Sequence, residues 1–323
     1  MSKAFRIYEH GGPEVLRWED VHVGDPGPGE ARVRHHAVGL NFIDVYHRSG
    51  LYALTLPSGI GVEGAGVVEA VGPDVVTVAV GDRVAYERPP GAYAEARICP
   101  AARLVKLPEK ISFEQAAAMM VKGLTAQYLV RRTFRVQPGQ IVLLHAAAGG
   151  VGLIAAQWLK ALGASVIGTV GSEAKAELAR AHGCAHTIVL GKEDFVARVR
   201  DLTGGEGVPV VYDSIGKDTF PGSLDCLQPF GMLVTYGNAS GPVAPFAPGL
   251  LAAKGSLYLT RPSLDTYAAK RADLEAMAAD LFDTVLSGKI RIEINQRYAL
   301  RDAAQAPRDL VARKTTGSTV LLP

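Results

Sequence analysis

The stretch Ile141-Val142-Leu143-Leu144, followed by Ala146-Ala147-Ala148-Gly149-Gly150-Val151-Gly152, decides the fold. An apolar run leads into a turn of small residues. A segment of helical period follows over 151–162, and Gly163 ends it. The order is strand, glycine turn, helix, which is the opening of a dinucleotide-binding unit. In such a unit the turn exposes backbone N–H groups at a helix N-terminus, where a phosphate can sit. Small residues let the backbone approach a pyrophosphate, and the last glycine lets helix pack on strand. The pattern here is A-x-x-G-x-x-G rather than G-x-G-x-x-G.

The next strand, 165–170, selects among dinucleotides. NAD-binding units commonly carry Asp or Glu near this strand's end to hold the ribose hydroxyls. No carboxylate lies between Gly163 and Ser172. Ser172 can hydrogen-bond a 2′-phosphate, and Lys175 can neutralise it as a point charge. NADP is favoured over NAD, with Glu173 the one nearby residue that speaks against it.

Working outward, strands are expected at 141–145, 165–170, 186–190, 208–213, 231–236 and 256–260. Helices are expected at 151–162, 172–182, 194–203, 219–227 and near 248–253. This alternation implies a doubly wound parallel sheet of the Rossmann type, covered on both faces. The first 120 residues differ: short alternating stretches such as Ala31-Arg32-Val33-Arg34-His35 are separated by Gly/Pro clusters. They read as a partly closed β-barrel. After residue 263 one long helix is expected through Leu286, then a last strand over 318–322, with this tail returning to the first domain. The expected domains are 1–124, 125–262 and the returning segment 263–323.

With 323 residues, 48% hydrophobic and 20% charged, the chain has the composition of an ordinary globular protein with room for two domains. The net charge is +2 and the basic residues are scattered, so no nucleic-acid footprint is evident. No apolar run approaches the roughly 20 residues that span a bilayer, and the first residues do not read as a signal peptide. A cytoplasmic location is expected. Cys99, Cys184 and Cys226 are too widely spaced for a metal knuckle and too few for a disulfide framework.

Over essentially its whole length the chain resembles the zinc-free, zeta-crystallin-like quinone oxidoreductases of the medium-chain dehydrogenase/reductase superfamily. The resemblance rests on Gly11-Gly12-Pro13-Glu14-Val15-Leu16, Gly39-Leu40-Asn41-Phe42-Ile43-Asp44 and Arg48-Ser49-Gly50-Leu51-Tyr52. It continues through Gly61-Val62-Glu63-Gly64-Ala65-Gly66, Gly81-Asp82-Arg83-Val84, Lys122-Gly123-Leu124-Thr125-Ala126, the glycine turn and Thr260-Arg261-Pro262-Ser263. It implies a GroES-like catalytic barrel beside the Rossmann domain, NADPH as cofactor, a quinone as acceptor, and a homodimer formed across the sheet edge near Ser256 and Thr260. Zinc-dependent relatives place a ligand Cys where this chain has Asn41 and a ligand His where it has Val62, so no metal is expected.

The resemblance also implies site residues. Asn41 and Thr125 would lie beside the nicotinamide. Tyr46 and Tyr52 would line the quinone pocket. Gly149, Gly150, Val151 and Gly152 would hold the pyrophosphate, and Ser172 and Lys175 the 2′-phosphate. Ser214, Tyr236, Asn238 and Ser240 would contact the cofactor, and Arg313 in the tail could reach the phosphates. Arg261 either faces the pocket or holds the dimer interface. Leu190 stands where close relatives often have a Tyr over the adenine, and Lys192 could add a second positive charge there. No obligatory acid or base is required, since a hydroquinone can take its proton from water. Two alternatives remain: a 2-alkenal or enoyl double-bond reductase, in which Tyr52 would serve as acid, and a crystallin-like or RNA-binding protein with a vestigial site. The intact glycine turn and the absence of a basic, aromatic-lined groove argue against the last.

Overall fold

A computed structural model describes residues 1–323. They divide into two compact units. One holds Met1–Leu124, Lys270–Leu286 and Ile292–Pro323; the other holds Thr125–Ala269 and Ser287–Arg291.

The second unit is built on six parallel strands. In spatial order they are Cys184–Val189, Ser165–Val170, Ile141–Leu144, Val208–Asp213, Leu227–Thr235 and Tyr258–Thr260. Numbered along the chain this is 3-2-1-4-5-6, the Rossmann order, so the winding reverses between Ile141–Leu144 and Val208–Asp213. The register Ser165 with Ile141 through Gly168 with Leu144 fixes the two strands that flank the glycine turn. Val142, Leu143, Leu144, Val166, Ile167, Val210 and Val211 are all fully buried. Burial on both faces explains why these strands read as continuous apolar runs. The helices Gly150–Ala161, Glu173–Ala181, Phe195–Leu202, Phe220–Asp225 and Gly249–Ala253 match the expected ones to within two residues. The fold class is as the sequence implies.

The first unit is largely antiparallel. A three-stranded sheet runs Arg17–Val21, Ser2–Ile7, Ser58–Gly59. A seven-stranded sheet runs Ile294–Ala299, Ser318–Leu322, Glu30–Leu40, Glu63–Val71, Arg83–Tyr86, Val105–Lys106, with Ala96–Pro100 also paired to Glu30–Leu40. The C-terminal strand joins by pairing Thr319 with Leu40 and Leu321 with Val38. Phe5, Ile7, Val33, Leu40, Val84, Tyr86, Tyr93 and Leu321 form the core. Within it His35 donates from Nδ1 to the Ala94 carbonyl (2.6 Å) and its Nε2 meets the Tyr86 hydroxyl (2.7 Å). Burial pushes its imidazole down to about 4, so the ring is neutral.

One expectation is corrected. The single helix expected from residue 263 to Leu286 is two helices, Leu264–Tyr267 and Arg271–Leu286. The Tyr267 ring stacks on Tyr128 (4.6 Å, 4°), whereas Arg271 donates to the carbonyls of Ala101, Ala102 and Leu104. The first anchor lies in the second unit and the other in the first unit. The boundary between the units falls between Ala269 and Lys270, where the helix breaks.

Candidate functional site

The glycine turn is shaped by one strained residue and one crowded one. Ala146 sits at φ +53°, and Gly149 N–H donates to its carbonyl at 2.9 Å. A Cβ on Gly152 would lie 2.3 Å from the Ala146 oxygen and 2.8 Å from two Ala147 backbone atoms. Only glycine lets the helix start this close to the turn. Helix Gly150–Ala161 has no side-chain cap at Gly149. The N–H groups of Gly150, Val151 and Gly152 are the first-turn donors that no intrahelical carbonyl satisfies. With the positive end of the helix dipole they form an anion cradle. This arrangement fits a dinucleotide pyrophosphate.

Beneath the cradle lies a buried polar network that sequence reasoning missed. Asp213 Oδ2 accepts from Thr219 Oγ1 (2.7 Å) and Ser223 Oγ (3.0 Å), and Oδ1 accepts from the N–H groups of Ile215 and Gly216. Since Ser223 donates to Asp213, its oxygen accepts from His145 Nε2 (3.0 Å), and His145 Nδ1 accepts from Thr169 Oγ1 (2.8 Å). Burial keeps His145 below the usual imidazole range. The network ties together the ends of three strands at the winding reversal. The available signal was a histidine placed directly between an apolar strand and the glycine turn.

The strand ends beside it are joined by backbone contacts. Tyr236 N–H donates to Asp213 O (2.7 Å), and Ser240 N–H to Ile215 O (2.9 Å). The Tyr236 hydroxyl is hydrogen-bonded with Ser214, and burial raises its pKa. The Ser240 hydroxyl donates to Ile215 O (2.9 Å) and accepts from Asp218 N–H (3.0 Å), bracing the loop. In the amide orientation that satisfies both neighbours, Asn238 donates to Gly237 O and accepts from Arg261 Nη2 at 3.2 Å. Arg261 is exposed and coupled to a predicted cofactor residue. Thr125 is buried and hydrogen-bonded with Tyr128.

At the end of strand Ser165–Val170, Ser172 caps helix Glu173–Ala181 by accepting from Lys175 N–H (3.4 Å). This places Ser172 and Lys175 on one first turn. A Cβ on Gly171 would meet nothing within 4 Å, so the backbone there is open to a ligand. The Lys192 ammonium pairs with Glu173 at 2.9 Å, both side chains being largely exposed. Leu190 closes the third strand, its N–H on Val170 O.

The first unit gathers Asn41, Tyr46 and Tyr52. Helix Phe42–Ser49 starts after Asn41, whose backbone N–H donates to Asp44 Oδ2 (2.8 Å). Tyr52 N–H returns to Tyr46 O (3.1 Å), and the two rings lie 5.0 Å apart. The Asn41 side chain donates from Nδ2 to Glu63 Oε2 at 2.7 Å. Glu63 is fully buried; Lys122 Nζ reaches the same oxygen at 3.0 Å, and Val121 N–H reaches Oε1 at 2.8 Å. Asp44 also accepts from the Tyr93 hydroxyl (3.0 Å), and burial pushes its carboxyl up to about 7. Glu63, Lys122 and Asp44 were not expected as site residues. Glu63 and Lys122 each interrupt a run of small apolar residues, which was the available signal. Arg313 is exposed in this unit at φ +59°, past helix Gln305–Val311.

The donors do not fit a catalytic zinc. Asn41 and Val62 supply no thiolate or imidazole, and Glu63 is taken up by an ammonium, an amide and a backbone N–H. No three His, Cys, Asp or Glu side chains gather to hold a metal ion.

Residues 27–109 match the family of alcohol dehydrogenase GroES-like domains, and residues 150–279 match that of zinc-binding dehydrogenases. Over the full length of both chains the protein is 57% identical to a quinone oxidoreductase of Pseudomonas aeruginosa. The chain belongs to the quinone oxidoreductase family of the medium-chain dehydrogenases/reductases. It superposes on Escherichia coli quinone oxidoreductase complexed with NADPH with a TM-score of 0.98, at 47% identity over 99% of this chain and 100% of that one. It is also 47% identical to a 2-haloacrylate reductase of a Burkholderia species, over 100% of this chain and 99% of the relative. No helix is long and apolar enough to cross a membrane.

Proposed function

We propose that this chain is an NADPH:quinone oxidoreductase that works without a metal. The observation that carries the reading is the cradle at Gly149, Gly150, Val151 and Gly152, followed at the second strand's end by Ser172 and Lys175 on one first turn. Those residues would hold the pyrophosphate and the 2′-phosphate. When bound, NADPH supplies a hydride from its nicotinamide. A quinone is an acceptor that needs little activation, because its carbonyls are conjugated and reduction restores aromaticity. Positioning then carries much of the rate. Asn41 and Thr125 would hold the nicotinamide side, with Ser214, Tyr236 and Asn238 bordering the cofactor. Tyr46 and Tyr52 would flank the acceptor. The buried tyrosine and the half-buried one offer apolar faces with hydroxyl handles. The unit of residues 1–124, 270–286 and 292–323 would form the catalytic domain, and that of 125–269 with 287–291 the cofactor domain. The protein would act in the cytoplasm as a homodimer paired along the exposed edge strand Tyr258–Thr260.

The similarity to a 2-haloacrylate reductase supports one second reading, hydride delivery to a polarised carbon–carbon double bond with Tyr52 as proton donor. Steady-state turnover with 1,4-benzoquinone beside 2-chloroacrylate and a 2-alkenal separates the two. Efficient turnover with the quinone is expected. Turnover confined to the double-bond substrates would replace the quinone reading.

A further inference from the structure

Asn41 carries an amide whose direction is chemically ambiguous until its neighbours are read. Either end could face the solvent side, one end offering an acceptor and the other a donor. The surroundings remove the choice. Glu63 Oε2 can only accept, so the Asn41 group 2.7 Å away must be the NH2. Glu63 is in turn locked: Oε1 accepts from the Val121 backbone N–H at 2.8 Å, and the Lys122 ammonium sits 3.0 Å from Oε2. Asn41, Glu63 and Lys122 are all buried. The Lys122 ammonium can only donate, so the Oε2 it shares with Asn41 is held as an acceptor.

We propose that the Glu63–Lys122 pair is a positioning device that fixes the Asn41 amide with Oδ1 outward, as an acceptor for a donor group on the nicotinamide half of the cofactor. The group is a carboxamide N–H or a ribose hydroxyl. Glu63 and Lys122 touch neither cofactor nor acceptor; they act through Asn41. This rests on the cofactor reading above and goes beyond it by assigning a role to a buried ion pair.

The test exploits how a glutamine would sit at position 63. The Val121 N–H demands an acceptor, so the Gln oxygen turns to Val121 and its NH2 turns to Asn41. Asn41 must then reverse and present NH2 outward. Glu63→Gln alone strands the buried Lys122 ammonium, so Glu63→Gln/Lys122→Met, which removes both charges, is made beside it. Two ligands are titrated without any acceptor: NADPH, and adenosine 2′,5′-bisphosphate, which lacks the nicotinamide half. In the paired variant NADPH affinity is expected to fall about tenfold, the scale of one lost hydrogen bond. Affinity for the bisphosphate stays unchanged. Adding Asn41→Ala to the paired variant costs nothing more, because the two changes break one interaction. In the free wild-type protein the side-chain NH2 of Asn41, assigned in ¹H–¹⁵N spectra with Asn41→Asp, exchanges slowly with water and shifts in the paired variant.

Unchanged NADPH affinity in the paired variant overturns the proposal, as does an Asn41→Ala penalty of equal size in both backgrounds. A fast-exchanging Asn41 NH2 in the wild type also overturns it. Failure of the wild type to bind either ligand removes the cofactor reading itself and this proposal with it. Binding of both ligands without quinone turnover leaves this proposal standing while the acceptor reading falls.

Discussion

Gly152→Ala is the substitution whose effect the structure specifies most closely. The added Cβ would lie 2.3 Å from the Ala146 oxygen, and ordinary contact begins at 3.4 Å, so the helix start must move off the turn by about 1.1 Å. Helix propensity favours the alanine by up to about 1 kcal/mol. Overpacking costs about 1–3 kcal/mol, leaving a net loss of roughly 0–2 kcal/mol and a Tm lower by only a few degrees. Binding is hit harder, because the N–H groups of Gly150, Val151 and Gly152 move with the helix. A hydrogen bond to a charged group is worth about 1.5–3 kcal/mol, so weakening one or two to the pyrophosphate costs on the order of 100-fold in affinity. The assay is NADPH titration by fluorescence, with a thermal melt of each variant. Gly249→Ala is the control: it begins a helix, and a Cβ there meets nothing within 4 Å. Gly152→Ala should weaken NADPH about 100-fold while the control binds as wild type. Wild-type affinity in Gly152→Ala would refute the account of the cradle.

Lys175→Ala should raise the KM for NADPH about tenfold or more and leave that for NADH unchanged, since a charge-assisted contact to a 2′-phosphate is lost; equal effects on both would remove Lys175 from the site. Asp44 has its carboxyl pushed from 3.8 up to about 7, so the folded state holds the proton more tightly than the unfolded chain. That stability is fully present below about 3.8 and is lost as pH rises through about 7, on the order of 4 kcal/mol as an upper bound. Asp44→Asn should therefore flatten the pH dependence of urea unfolding between pH 5 and 8, and an unaltered slope would contradict it. His35 runs the other way. With its imidazole pushed down to about 4, stability present above about 6.5 is lost as pH falls, and His35→Gln should lessen that acid sensitivity. Tyr258→Arg places a charge on an exposed position of the edge strand, and sedimentation should show the mass falling from dimer to monomer; a wild-type monomer would refute the dimer instead.

The nucleotide-binding unit was largely legible because its strands are buried on both faces and its turn chemistry is local. Ile141–Leu144, Gly149 and Gly152 lie within a dozen residues of one another. The edge strand Ile294–Ala299 gave no such signal: its sequence is Ile-Asn-Gln-Arg-Tyr-Ala, and it is ordered by pairing with Ser318–Leu322. The break after Ala269 was hidden because 264–286 keeps helix-forming residues throughout, and only the separate anchors at Tyr267 and Arg271 divide it. Asn41 and Tyr52 stand in motifs that carry the resemblance, and the rings of Tyr46 and Tyr52 lie 5.0 Å apart. Glu63 and Lys122 stand 59 residues apart, and a buried ion pair leaves no periodic trace in a sequence.

The most direct test is NADPH oxidation by 1,4-benzoquinone after exhaustive dialysis against EDTA, with NADH run in parallel. The account predicts undiminished turnover and a clear preference for NADPH in kcat/KM. Turnover that disappears with EDTA and returns with Zn²⁺, or a preference for NADH, would contradict it.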